Sequence, residues 1–79
     1  MTLSEALAAR VEELLEQYNI TQYRLSILSG VSQATISDIR LQKNETVNVR
    51  ILYEIMDGLG LGLDDFFNNP LFKRENIVD

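Results

Sequence analysis

A single glycine separates two short helical patterns in TQYRLSILSGVSQATISDIRLQKN, residues 21–44, and this spacing constrains the fold more than any other feature of the chain. Leu25 and Leu28 lie one turn apart on the first pattern, with small Ser26 where two backbones can approach closely. Gly30 tolerates positive φ and ends that helix. Val31 plugs the turn, and Ser32 is placed to accept backbone N–H bonds as the next N-cap. From Gln33 onward, Ile36 and Ile39 are i, i+3 neighbours that face inward. The opposite face then carries Gln33, Ala34, Ser37, Asp38 and Leu41. A helix anchored on its apolar side, with mostly short polar side chains facing out, is shaped to lie in a groove.

Such a helix-turn-helix pattern is expected to enter the major groove of double-stranded DNA. The net charge of −5 runs against that expectation, because affinity for nucleic acid begins with phosphate neutralisation. Its distribution answers the objection. Residues 1–20 set Arg10 against Glu5, Glu12, Glu13 and Glu16, and residues 51–79 are also acidic. Only residues 21–50 are net positive, with Arg24, Arg40, Lys43 and Arg50 against Asp38 and Glu45. The positive third therefore holds the helix-turn-helix, and acid elsewhere turns the other faces away from a duplex.

A chain of 79 residues is one domain, near the lower limit for a core unaided by metals or disulfides. With no cysteine and no histidine, disulfide frameworks, zinc knuckles and histidine-based catalysis are excluded, and no cofactor is expected. No apolar run approaches the ~20 residues of a membrane span. The opening MTLSEALAAR lacks the basic and apolar regions of a signal peptide, so a cytoplasmic protein without membrane contact is expected.

Five helices and no strand are legible. The first runs from about Ser4 to Tyr18, with capping-box spacing between Thr2 and Glu5 and a stripe of Leu7, Val11, Leu14 and Leu15. Thr21 caps the second, the third spans Gln33 to about Leu41, and Asn48 caps a fourth that buries Leu52, Ile55, Met56 and Leu59. Gly58, Gly60 and Gly62 punctuate a turn. The GLGLG run lacks the spacing of a phosphate loop and reads as a helix stop. Leu63 to Phe67 form a short fifth helix with Asp64 and Asp65 in its first turn, where the dipole favours acid. Tyr18 and Tyr53 are expected at the core edge. Neighbouring acids such as Glu12-Glu13 splay apart on a helix, so no acid–base pair converges and no enzyme is expected. Residues 68–79, interrupted by Pro70, are more apolar than a solvated tail and either fold back on the core or cover a partner.

TQ at the start of helix two, SGVSQATIS across the turn and LGLGLDDFF at the close resemble, in order and spacing, Cro/cI-type helix-turn-helix proteins of the Xre family. The resemblance covers roughly Leu7 to Phe67. It implies an all-α, compact five-helix, lambda-repressor-like domain over residues 1–67, with residues 68–79 as a C-terminal tail. It also implies a transcriptional regulator, a repressor, that binds a palindromic operator as a homodimer. Carried over residue by residue, Gln33, Ala34, Ser37, Asp38 and Leu41 would read bases. A glutamine amide matches the N7/N6 edge of adenine, alanine a thymine methyl, and aspartate a cytosine amine. Gln22, Ser32, Thr35, Arg40, Lys43, Asn44 and Arg50 would contact phosphates, Gln22 also bracing the recognition helix.

Two positions depart from the family pattern. Many members pair a glutamate at position 40 with an arginine at position 15; here these are Arg40 and Leu15, so Arg40 is expected to turn outward, to Glu12, Glu16 or a phosphate. Gln42 stands where a turn glycine is usual, which leaves the path of the following loop open. Phe66 and Phe67 should divide between core and surface, and the dimer anchor is sought among Phe66, Phe67 and Phe72. The alternative function is a protein-interaction module such as the antitoxin of a toxin–antitoxin pair, whose acidic helices and apolar tail would hold a basic protein partner.

Overall fold

Side-chain caps set where the helices begin. In the computed structural model, which describes residues 1–79, the Thr2 hydroxyl accepts from the Glu5 N–H at 3.1 Å. The Glu5 carboxylate accepts from the Thr2 N–H at 2.8 Å, completing the expected capping box of α1, Leu3–Tyr18. Thr21, Ser32 and Asn48 cap α2 (Gln22–Ser29), α3 (Gln33–Arg40) and α4 (Val49–Gly58), accepting from Arg24, Thr35 and Arg50 N–H groups. Helix α5 (Leu63–Phe67) follows Gly62, whose N–H donates to the Asp65 carboxylate at 2.8 Å. Two 3-10 turns, Pro70–Phe72 and Arg74–Asn76, close the chain. No helix is long and apolar enough to cross a membrane.

Left-handed residues set where helices end. Gly30 (φ 76°) and Gly60 (φ 75°) stop α2 and the turn after α4, and Asn19 (φ 52°) does the same for α1. Gln42 also adopts φ 56°. The Lys43 N–H donates to the Asp38 carbonyl at 3.0 Å and the Gln42 N–H to that of Ile39 at 3.2 Å. The end of α3 thus keeps the glycine-type turn without the glycine, at a cost of about 1 kcal/mol for a residue bearing a Cβ. That settles the course of the loop that the sequence left open.

The core is one cluster. Leu7, Val11, Leu14 and Leu15 of α1 meet Leu25, Val31, Ile36 and Ile39 of the helix-turn-helix, together with Leu52, Ile55 and Met56 of α4 and Phe66 of α5. Helix α1 packs on α3, α2 on α3 and α4, and α4 on α5. Leu59 is only partly buried. Leu28 is 40% exposed, so of the two leucines on α2 only Leu25 belongs to the core. Tyr18 and Tyr53 stand further into solvent than a core-edge position requires, Tyr53 being 52% exposed.

Three features lie beyond the periodicity. Arg10 falls within the apolar stripe of α1 and is 8% exposed. Its Nε donates to the Phe66 carbonyl at 2.8 Å and its Nη2 to the Asp65 carbonyl at 2.8 Å, while Nη1 lies 3.4 Å from Glu13. The guanidinium sits 5.9 Å from the centre of the Phe66 ring. Gly58 is the second feature. It closes α4 against α2 so tightly that an added Cβ would stand 2.7 Å from Ser29 Cα, a close backbone approach in the last turn of α2. Third, residues 68–79 fold back on α1. Asn69 Nδ2 donates to Glu13 at 2.9 Å, Phe72 packs on the core, and the Val78 N–H donates to the Met1 carbonyl at 2.9 Å.

Phe66 is fully buried and Phe67 39% exposed, which removes Phe66 from the dimer anchors: its ring fills the core and has no surface to offer. Phe72 is partly buried behind Phe67, with ring centres 5.0 Å apart.

Three expected outcomes follow from this packing. Gly58→Ala lowers stability in urea unfolding by about 2 kcal/mol through overpacking, opposite in sign to the roughly 1 kcal/mol gain it brings in an open helix. Arg10→Ala strands two carbonyls and costs about 3 kcal/mol, whereas Glu13→Ala, at an exposed end of the same network, costs no more than about 1 kcal/mol. The Thr2 backbone N–H, and then its hydroxyl, hold the Glu5 carboxylate below its ordinary pKa. A depressed carboxylate stabilises the fold above its unfolded pKa and loses that contribution as pH falls through the folded value. Acid titration of stability in Glu5→Gln is therefore flatter than in the parent at the acid end.

Candidate nucleic-acid interface

The third helix is held by two side chains and presents the rest. Ile36 and Ile39 are buried. Gln33 and Ala34 in its first turn are exposed, Ser37 and Asp38 are half-buried, and Leu41 at its C-terminal end is 63% exposed. Of the five expected base-reading residues, Gln33, Ala34 and Leu41 are thus exposed, while Ser37 and Asp38 lie at the partly covered flanks of α3. At its N-terminus the Ser32 hydroxyl accepts from the Thr35 N–H at 3.2 Å and bonds the Thr35 hydroxyl at 2.9 Å. This pairing fixes both oxygens beside free helix N–H groups, where the dipole favours an anion.

Gln22 opens α2 and reaches the start of α3, its Nε2 donating to the Gln33 carbonyl at 3.3 Å. The bracing contact implied by the family resemblance is present in that bond. Arg40 lies at the other end of α3. Its Nε pairs with Glu12 of α1, and its Nη1 donates to Gln22 Oε1 at 3.0 Å. Of the outward partners considered for Arg40, Glu12 is the one it meets.

Lys43, Asn44 and Arg50 are exposed around the loop between α3 and α4. The molecule's ion pairs, Arg10–Glu13 and Arg40–Glu12, leave Lys43 and Arg50 without an acidic partner. A cleft of about 180 Å³ runs between α3 and this loop, lined in part by Thr35, Asp38, Asn44 and Asn48. Asp38 faces that cleft, beside two amide side chains that can donate to it. A second cleft of about 310 Å³, lined by Leu3, Leu7, Val47, Val49, Leu52 and Phe67 with Glu45 and Thr46, lies next to the loop and is mostly apolar.

Sequence reasoning missed Arg10 as a structural residue. The signal was there: position 10 is i+3 from Leu7 and i−4 from Leu14, inside the buried stripe. Gly58 carried no comparable signal, since a glycine near a helix end reads equally well as a stop.

The model of the Cro/C1-type HTH DNA-binding domain matches residues 10–69. That span begins at Arg10 and ends at Asn69, the residue bonded to Glu13, so it contains all of α2 to α5 and the clamp that joins α5 to α1. Comparison with curated proteins and with solved structures gives no match. An all-helical fold, an outward-facing third helix and a family match over most of its length together place the chain in the Cro/C1-type HTH DNA-binding domain family.

Proposed function

We propose that this protein is a sequence-specific transcriptional regulator, acting as a repressor, that reads the major groove with α3. One observation carries the reading: α3 buries only Ile36 and Ile39, while exposed and unpaired Lys43 follows it in the loop and Arg50 opens α4. Gln33 bonds the N7/N6 edge of an adenine, Ala34 touches a thymine methyl, and Asp38 accepts from a cytosine amine. Ser37 and Leu41 complete the stripe. Phosphates are held by the second amide N–H of Gln22, by Ser32, Thr35 and the N-terminus of α3, and by Lys43, Asn44 and Arg50.

The apolar cleft beside Phe67 supports a homodimer in which Phe67, backed by Phe72, enters the cleft of a second copy. A two-fold dimer reads an inverted repeat with half-sites about 10 bp apart, and its occupancy blocks polymerase.

Selection of the purified protein against randomised duplexes at ~150 mM salt, where weak phosphate contacts are largely suppressed, tests both claims. An inverted repeat is expected, and Gln33→Ala should relax preference at one position per half-site by about 1–3 kcal/mol. Enrichment of no sequence, with only salt-sensitive retention, would reject the regulator reading in favour of a protein partner.

A further inference from the structure

The geometry points to Arg40 as a positioning residue that sets which way the Gln22 amide faces, rather than as a phosphate ligand. The inference rests on the DNA-binding reading above for its consequence, though not for its geometry. Four side chains and backbone groups stand in series: Glu12 of α1, Arg40 of α3, Gln22 of α2 and the backbone carbonyl of Gln33. Chemistry leaves one arrangement. A guanidinium only donates, so the atom of Gln22 that meets Arg40 Nη1 is the oxygen. A carbonyl only accepts, so the atom that meets Gln33 O is the nitrogen.

The second contact is the longer, 3.3 Å against 3.0 Å, and it is neutral where the first is charge-assisted. Arg40 is therefore the group that decides the orientation. Glu12 holds Arg40 in turn and takes up its Nε, so that the guanidinium lies along the protein surface. The result is an amide whose NH₂ faces the recognition helix and, with its remaining N–H, the expected position of a phosphate. An amide turned the other way would present oxygen to both the Gln33 carbonyl and that phosphate.

The Arg40 side chain is 29% exposed and that of Glu12 50%, and pairs so exposed add little to stability. Orientation of Gln22 is what remains for the pair to supply. The arrangement also does without the glutamate–arginine pairing of positions 40 and 15 expected from the family resemblance, since Leu15 is part of the core.

Three variants test this: Arg40→Met, Lys43→Met as a phosphate-ligand comparator, and the exchange Glu12→Arg with Arg40→Glu. In the free protein, exchange of the Gln22 side-chain amide protons, read by NMR, should speed up about fivefold in Arg40→Met, the order expected when the neutral bond from Nε2 to the Gln33 carbonyl is released once the oxygen is no longer held. With the duplex selected above as probe, Arg40→Met should weaken binding roughly tenfold at every salt concentration. Its salt slope should match the parent's, whereas Lys43→Met should lower the slope by about 0.9. The exchanged pair should keep the parent's stability yet bind as weakly as Arg40→Met, because a carboxylate at position 40 accepts from the Gln22 nitrogen and turns the oxygen toward Gln33.

A salt slope reduced in Arg40→Met as in Lys43→Met would make Arg40 a phosphate ligand and overturn the inference. Unchanged amide exchange, or recovered affinity in the exchanged pair, would overturn it as well. Should the parent protein bind no duplex, the regulator reading fails on its own, and the amide measurement alone still decides the role of Arg40.

Discussion

The hold of Arg10 on the last turn of α5 is the interaction on which the arrangement of this molecule depends. A helix of five residues has no stability of its own, since nucleation costs more than so few hydrogen bonds return. Its C-terminal carbonyls lack helical partners and carry the negative end of the helix dipole. Arg10 supplies donors and positive charge at that point, from the middle of α1, with its guanidinium over the Phe66 ring. The buried Phe66 then closes the core on which α4 rests, α4 supports α2, and α2 sets the angle of α3. A charge is tolerated inside because both carbonyls and a half-exposed carboxylate surround it.

Much of this architecture was legible in the sequence because short-range chemistry dictates it. Thr2, Thr21, Ser32 and Asn48 all cap the helices that their spacing assigned to them, and the α1 stripe and the inward isoleucines of α3 lie in the core. Such signals act over one or two turns. What escaped notice acts across the fold. Gly58 matters through a backbone that lies far away in sequence and Arg10 through carbonyls on another helix, while the tail takes one of the two courses the sequence left open, folding back through Glu13 and Phe72. Gln42 stands between these cases. Its left-handed backbone is imposed by α3 and the loop on either side, against its own preference.

The candidate site divides along the same line. The outward stripe of α3 follows from periodicity alone, whereas the link from Glu12 through Arg40 to Gln22 joins three helices and has no signature within any one of them. Arg10 and Arg40 show how burial separates the uses of one residue type. The first is enclosed and holds backbone carbonyls that nothing else satisfies. The second lies near the surface, where its charge is partly screened and its geometry is what counts.

The contact of Gly58 with Ser29 has a mechanical side. Helices separated by side chains can absorb a push by rotamer changes, but backbone against backbone has no such compliant layer. Helix α4 bears on α2 in this way at one end, while Val49 and Tyr53 stand exposed along its outer edge. At Gly58 a shift of α4 therefore has a direct backbone route into α2, the helix that carries Gln22 and packs on α3.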